Sequence, residues 1–562
     1  MSTAVPPDKT PAPSSARAAA TIVVVRDGDR GVEVLLLRRV ERSGDRSSGA
    51  FVFPGGTLDA ADRGLHGCCA CLDDAEASRR LGVPQHGLDY YVAAVRECFE
   101  EAGLLFACDA GGQLATLRQS GDELAALRAS LRDGGASLQA LCGQLGLQLA
   151  VDRLAYLSHW LTPPGLPKRF DTRFFVAEAP PGQAASFDNL ETLEHRWIRP
   201  ADALDEANRL PLPNPTRHTL QSMAAFPSAH TFVEHTRQLP RIERIMPLMG
   251  HGERGPRPVM PFEPAYAEIG HLDPDGRGRA SYELMPGRPV RLTQRVLRVT
   301  APNGGVMTGP GTNTYIVGDP NGPTWCVIDP GPESATHVEA ILAAAPGPIE
   351  SILVTHTHRD HSPAAAALRA RTGARLLGMK ARHPDRQDTQ FEPDQTLVHG
   401  ERLPIGARTT LRVVHTPGHA SNHLCYLLEE EATLFTGDHV MQGSTVVIDP
   451  PDGDMAAYLA SLEGLLDEGL EWLAPGHGFL IARPADEIRR LVRHRLAREA
   501  KVAATLRASG AASLDALLPR VYDDVPERMH PVARRSLLAH LLKLASDGRA
   551  REAGGEWHAV AD

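Results

Sequence analysis

Three histidines and an aspartate fall within six residues of this chain, at His356, His358, Asp360 and His361. The apolar run Ile352-Leu353-Val354 comes directly before them and reads as a buried strand. The cluster therefore lies at a strand's carboxyl end, where a loop can gather ligands. His356 and His358, two apart, can point the same way from an extended segment. Asp360 and His361 can turn towards a second ion as the chain leaves the strand. A polar turn with one incidental histidine is the ordinary alternative, and it does not explain four ligand-type side chains at this spacing. His419 follows Val413-Val414-His415-Thr416-Pro417-Gly418, Asp438 ends Leu434-Phe435-Thr436-Gly437, and His477 sits in Ala474-Pro475-Gly476-His477-Gly478. Each follows an apolar strand beside a glycine, where the backbone can approach closely. Imidazole with carboxylate suits zinc, or another first-row metal such as manganese or iron.

The order HxHxDH, then H, D and H, resembles the metallo-β-lactamase-fold hydrolases from His356 to His477. The resemblance implies a four-layer αββα sandwich holding two Zn²⁺, or Mn or Fe. One metal would be held by His356, His358 and His419, and a second by Asp360, His361 and His477. Asp438 would bridge them. Asp360 and Asp438 are the expected catalytic carboxylates of this half.

A chain of 562 residues is too long for one core and fits about three or four domains. Its apolar and charged fractions are those of a globular protein, and no stretch has the length to cross a bilayer. Residues 1–19 are rich in Pro, Ser and Ala without the charged and apolar regions of a signal peptide, and read as a disordered leader. Eight scattered cysteines do not suggest a disulfide framework. The cluster Cys68-Cys69-Ala70-Cys71 has no complementary CxxC and reads as small buried residues. A reducing cytoplasm fits best. The net charge of −10 argues against indiscriminate nucleic-acid binding by the whole chain.

In the first third, Ile22 to Val25 and Val32 to Leu37 flank Gly28-Asp29-Arg30-Gly31, a hairpin signal. Phe51-Val52-Phe53-Pro54-Gly55-Gly56 leads towards a helix containing Arg96-Glu97-Cys98-Phe99-Glu100-Glu101-Ala102-Gly103-Leu104. There Glu97, Glu100 and Glu101 share one helix face. Three like charges so placed repel one another unless a hard cation, Mg²⁺ or Mn²⁺, sits between them. Together these residues resemble the Nudix hydrolases, whose box reads Gx5Ex7REUxEExGU. The second half of that box matches, with Cys98 in an aliphatic place. In the first half Arg96 lies 40 residues after Gly56, and Asp62 stands for the first Glu. This interrupted box is similar to that of the coenzyme A diphosphatase branch. The resemblance implies an α/β/α sandwich, with Glu97, Glu100 and Glu101 as metal ligands, Glu100 and Glu101 catalytic, and Arg96 orienting a carboxylate through a bidentate pair. Ala155 to Trp160, Arg173 to Ala177 and His195 to Ile198 read as further strands, with a closing helix near 200–226 and with Trp160 and Trp197 in the core.

Residues 227–290 carry little periodicity and many Pro, Gly and Arg, and read as a linker. Beyond His477, helical patterns at 486–507, 514–518 and 537–544 precede a short β wing near Arg549 and Trp557. Residues 483–551 carry fifteen basic against eight acidic side chains, opposite in sign to the whole chain. This end is similar to the winged-helix cap of the metallo-β-lactamase-fold branch that contains endoribonucleases. Its basic helices either contact nucleic acid or merely cover the core.

The expectation is an α/β and α+β multidomain hydrolase: a Nudix domain at 20–226, the linker 227–290, the metallo-β-lactamase fold at 291–482 and the cap at 483–562. The first half would cleave a diphosphate linkage of nucleotide or coenzyme A type. In the second, a hydroxide bridging the ions would attack an ester, thioester or phosphodiester. The alternative is an RNA-processing endoribonuclease acting on single-stranded RNA, with a nucleotide-sensing, non-catalytic Nudix domain. No membrane partner is expected.

Overall fold

The computed structural model describes residues 15–41, 48–116, 121–133, 135–188 and 190–560. The chain divides into two compact units, Met1–Leu248 and Met249–Asp562.

The first unit is built on a mixed sheet of eight strands. Arg17–Gly28 turns through Asp29 and Arg30 into Gly31–Arg39, as the hairpin composition predicts, and also runs parallel to Phe170–Glu178. The helix Gly87–Ala102 covers one face of this sheet. Its buried Leu88, Tyr91, Val92, Val95 and Phe99 follow a 3.6-residue period and meet Ile22, Val24, Leu35 and Phe175. The helix stops at Gly103, whose left-handed backbone (φ 70°) lets its N–H bond back to Phe99. Trp160 is buried, and Trp197 packs against the core with the Arg26 guanidinium over its ring. The closing helix expected near 200–226 is split into Pro200–Leu204, a 3₁₀ turn at Glu206–Asn208, and Asn214–Met223. Pro211 and Pro213 stand at the break, lacking N–H donors and disfavouring helix in the residues before them. Of the expected leader, residues 1–14 lie outside the described residues, and Arg17 to Ala20 already belong to the first strand.

The second unit holds a seven-stranded and a six-stranded sheet. Val296, Val317, Ile328 and Leu353 of one meet Leu411, Val413, Tyr426 and Phe435 of the other in the central core. The outer face of the first sheet packs Val327 and Ile352 against Val338 and Ile341 of helix Ala335–Ala344 and Leu368 of helix Ala364–Thr372. The outer face of the second packs Val414, Leu427 and Leu473 against Tyr458, Leu462 and Ile488. The result is four layers, αββα. Strands buried on both faces explain why the sequence shows unbroken apolar runs instead of alternation.

Helix Pro484–Ser509 starts in this outer layer and ends in a separate small core. There Val502 and Leu506 join Leu517, Leu541, Leu544 and Trp557 of helices Leu514–Val521 and His530–Ser546 and a β wing. The wing pairs Ala550–Ala553 with Glu556–Ala559.

Residues 227–290, read from the sequence as a linker, carry the helices Ala229–Arg237 and Tyr266–Leu272. Glu268 of the latter is buried and forks onto the buried Arg298 at 2.6 and 2.8 Å. Among the described residues, no helix is long and apolar enough to cross a membrane.

Candidate metal centres

Strands Trp325–Ile328 and Ile349–Leu353 run parallel, so their carboxyl ends, with Asp329 and Thr355, lie side by side. Asp329 has left-handed backbone (φ 50°) and turns its carboxylate into the site. It accepts from Thr355 N at 2.7 Å and Thr355 Oγ1 at 2.8 Å, and bonds His361 Nδ1 at 2.9 Å. The loop after Thr355 then presents His356, His358, Asp360 and His361, while His419, Asp438 and His477 arrive from loops of the other sheet.

These seven side chains form two groups. His356, His358 and His419 make one, and Asp360, His361, Asp438 and His477 the other, with donor atoms within 4.8 Å of one another in each group. Asp438 faces both. One oxygen lies 3.3 Å from His361 Nε2 and from His477 Nε2, and the other 3.7 Å from His419 Nε2. Gly476 is required here, because a Cβ would come within 2.8 Å of both Asp438 Oδ1 and the His361 ring.

The outer nitrogens fix the rings. His419 Nδ1 bonds the Val447 carbonyl at 2.7 Å and His477 Nδ1 the Gly311 carbonyl at 3.2 Å, so each Nδ1 carries a proton and each Nε2 is the nitrogen turned inward. The buried His356 Nε2, His361 Nε2, His477 Nε2 and Asp438 Oδ1 have no hydrogen-bond partner. Buried polar atoms left unpaired are costly, and four of them converging on one space fit a bound cation.

Charge in the cleft points the same way. Burial disfavours a charged His361, yet Asp360, Asp438 and Asp329 outweigh it and hold its pKa well above the imidazole range. His477 is likewise pushed up to about 9 by Asp438 and Asp360 against the effect of burial. Burial works against the ionised form of Asp438 too, but His477 and His361 hold its pKa well below the carboxylate range. His356, hemmed by burial and by other imidazoles, goes well below. The cleft thus favours positive charge on the Asp360 side and neutral nitrogen donors on the His356 side, which suits divalent metal binding.

Sequence reasoning missed Asp329, which stood in the strand-end run Ile328-Asp329-Pro330-Gly331. It also missed His423, whose buried ring stacks on His356 with centroids 5.0 Å apart.

In the first unit the helix Gly87–Ala102 carries Glu97, Glu100 and Glu101 to a cavity of about 440 Å³. Gly55 N donates to Glu101 Oε2 at 2.9 Å, and a Cβ at Gly56 would run into the Glu97 carboxylate. The Phe-Pro-Gly-Gly run therefore brings bare backbone against the glutamates. Arg96 forks onto Asp62 at 2.7 and 3.1 Å and donates to Glu97 at 2.7 Å. Asp62 is fully buried beneath this arginine, outside the cavity lining. Burial above all, then Glu97 and Glu191, push Glu101 up to about 8 against the Gly55 N–H. Glu191 lines the same cavity from a loop that gave no sequence signal. A hard cation would relieve this crowding of carboxylates.

The metallo-β-lactamase superfamily model matches residues 307–477, the β-lactamase-associated winged-helix model 513–557 and the NUDT19 Nudix model 72–215. A β-lactamase-like protein 2 homologue of Drosophila melanogaster is 31% identical over 280 residues, 46% of this chain and 91% of the relative. An atrochrysone carboxyl ACP thioesterase of Aspergillus chevalieri is 32% identical over 268 residues, covering 46% of this chain and 83% of the relative. Thioesterase pkgB of Emericella nidulans is 36% identical over 233 residues, 41% of this chain and 64% of the relative. Among solved structures, a NUDIX hydrolase of Alicyclobacillus acidocaldarius is 29% identical, covering 39% of this chain and 96% of that one at a TM-score of 0.34. On its family-model matches and its curated relatives, the chain belongs to the metallo-β-lactamase superfamily, and is a hydrolase that joins that fold to a Nudix domain and a winged helix.

Proposed function

We propose that the second unit hydrolyses a small thioester or ester and that the first unit cleaves a diphosphate linkage. The observation that carries the first reading is the pair of donor clusters sharing Asp438. His356, His358 and His419 would hold one first-row cation, zinc above others, and Asp360, His361 and His477 a second. Two such ions supply Lewis-acid charge and a water acidified enough to attack at neutral pH. This chain's residues do the rest. Val447 O and Gly311 O lock the His419 and His477 tautomers, Asp329 anchors His361, and Asp438 sets the separation of the two groups. Relatives named as thioesterases favour a carbonyl electrophile.

In the first unit Glu97, Glu100 and Glu101 would hold Mg²⁺ or Mn²⁺ against the diphosphate oxygens, with Arg96 fixing Glu97. The functional parts are assigned as 20–226 and 291–482, with 483–562 as the cap.

RNA cleavage receives less support from the cap. Arg498 pairs with Asp524, Lys501 with Asp523, Arg534 with Asp515, and Lys543 with Glu499 and Asp547. Cations so engaged cover the helices more than they offer a phosphate track. The test is a panel of acyl thioesters, coenzyme A, nucleoside diphosphate derivatives and labelled single-stranded RNA, given to the full chain with zinc and magnesium. Thioester and diphosphate turnover is expected. RNA cleavage without thioester turnover would overturn the assignment, and nucleotide binding without turnover would make the first unit a sensor.

A further inference from the structure

We propose that the second unit carries an anion-recognition pocket, distinct from its metal centre, for the phosphate-bearing end of a small ligand. A cavity of about 290 Å³ is lined by Arg279, Arg288, Arg291 and Arg298, together with His251 and Ser281. None of the seven metal-type donors of this unit lines it.

The lining itself holds four arginines against two carboxylates, Glu268 and Glu283, with Asp273 and Asp275 behind Arg279. Glu268 is matched by Arg298 and also accepts from Leu480 N at 2.8 Å, while Arg279 is matched by the buried Asp273 at 3.2 Å. Glu283, the other carboxylate of the lining, accepts from Glu253 N at 2.8 Å. Among the described residues Arg288 and Arg291 have no carboxylate within ion-pair distance, and Arg291 donates one N–H to the Gln294 carbonyl at 3.3 Å. At the floor, Arg298 is 1% exposed. Its terminal nitrogens are held by Glu268, and its Nε–H has no hydrogen-bond partner. Held at both terminal nitrogens, this guanidinium keeps a fixed place beside the cavity.

An exposed, solvated arginine face would account for Arg288 and Arg291 alone. It does not account for the floor, where a buried ion pair and the folded segment 249–290 are arranged around the same space. Planar guanidinium forks match phosphate oxygens bidentately. The volume lies at the small end of ligand pockets, suiting a phosphate or diphosphate group and not a whole nucleotide.

The test titrates inorganic pyrophosphate into the full-length protein calorimetrically at low salt, with hydrogen exchange followed by mass spectrometry. Binding should protect residues 279–291, and R288Q/R291Q should weaken that event by about tenfold or more. Binding to either metal centre is left intact by this variant and shows as protection near 97–104 or 354–361. Equal affinity in both proteins, or protection confined to those metal-centre segments, overturns the proposal. Should the double variant melt early, R288Q and R291Q singly, both at exposed positions, carry the same comparison.

Discussion

The histidine cluster and the glutamate cluster bring their donor side chains together by opposite means. The first collects its donors from several loops across two sheets and fixes three of its five rings from behind, His361 by Asp329, His419 by Val447 O and His477 by Gly311 O. The second takes its three carboxylates from one turn of one helix and restrains them with Arg96 and the Gly55 N–H. Donors preset by tertiary structure leave little to organise on binding, so the histidine centre should retain transition metal through purification. Carboxylates crowded on a single helix bind a hard cation weakly and exchange it.

The contrast breaks most readily at Asp438, the carboxylate that faces both donor groups. Asp438→Asn should lower thioester kcat/KM by roughly a thousandfold or more, leaving diphosphate hydrolysis within about twofold. Steady-state kinetics with both substrates on one preparation measure this, and parallel loss of both activities would contradict independent centres. Next, Glu100→Gln with Glu101→Gln keeps size and helix propensity while removing two charges. Diphosphatase activity should fall by about a hundredfold, with tightly bound transition metal unchanged by elemental analysis. A smaller change is expected from Asp329→Asn, which leaves all seven donors in place and weakens the anionic support of His361. Metal affinity in a chelator competition should drop about 10- to 100-fold, with the fold retained by circular dichroism.

A third imidazole setting sharpens the comparison. His540 in the cap is fully buried and neither ring nitrogen has a hydrogen-bond partner. Burial first, then Arg495, Arg498, Lys543 and His494, drive its pKa down to about 3. The unfolded chain therefore binds a proton on this group near pH 6.5 that the folded chain refuses. Its contribution to stability is present above that pH and is lost as pH falls towards 3. His540→Phe should flatten the loss of thermal midpoint between pH 7.5 and 5, by a few degrees. An unchanged slope would show that the cap relaxes around the charged ring.

That these seven side chains would come together was legible because four of them cluster in sequence, and strand-loop order carried His419, Asp438 and His477. Asp329 was not, since its role depends on two parallel strands bringing their ends together, a pairing that no local pattern announces. Glu191 entered the glutamate cavity the same way, from a loop of ordinary composition. The helices of the cap showed through their leucine spacing, and both the winged helix and the four layers followed from the resemblance. Segment 227–290 was misjudged for a physical reason. Its order rests on a few long-range contacts, such as Glu268 with Arg298, while its composition resembles that of a tether.

Helix Pro484–Ser509 has a practical meaning for anyone dissecting the molecule. Its first turns complete the outer layer of the sandwich through Ile488 and Leu491, and its last turns complete the cap through Val502 and Leu506. It is a beam set into two walls. A fragment ending at residue 482 would strip apolar cover from the sandwich, and one beginning at residue 513 would leave the cap open on the side that Val502 and Leu506 close. The two parts should melt as a single cooperative block, and opening at a hinge between them is not available without breaking a 26-residue helix.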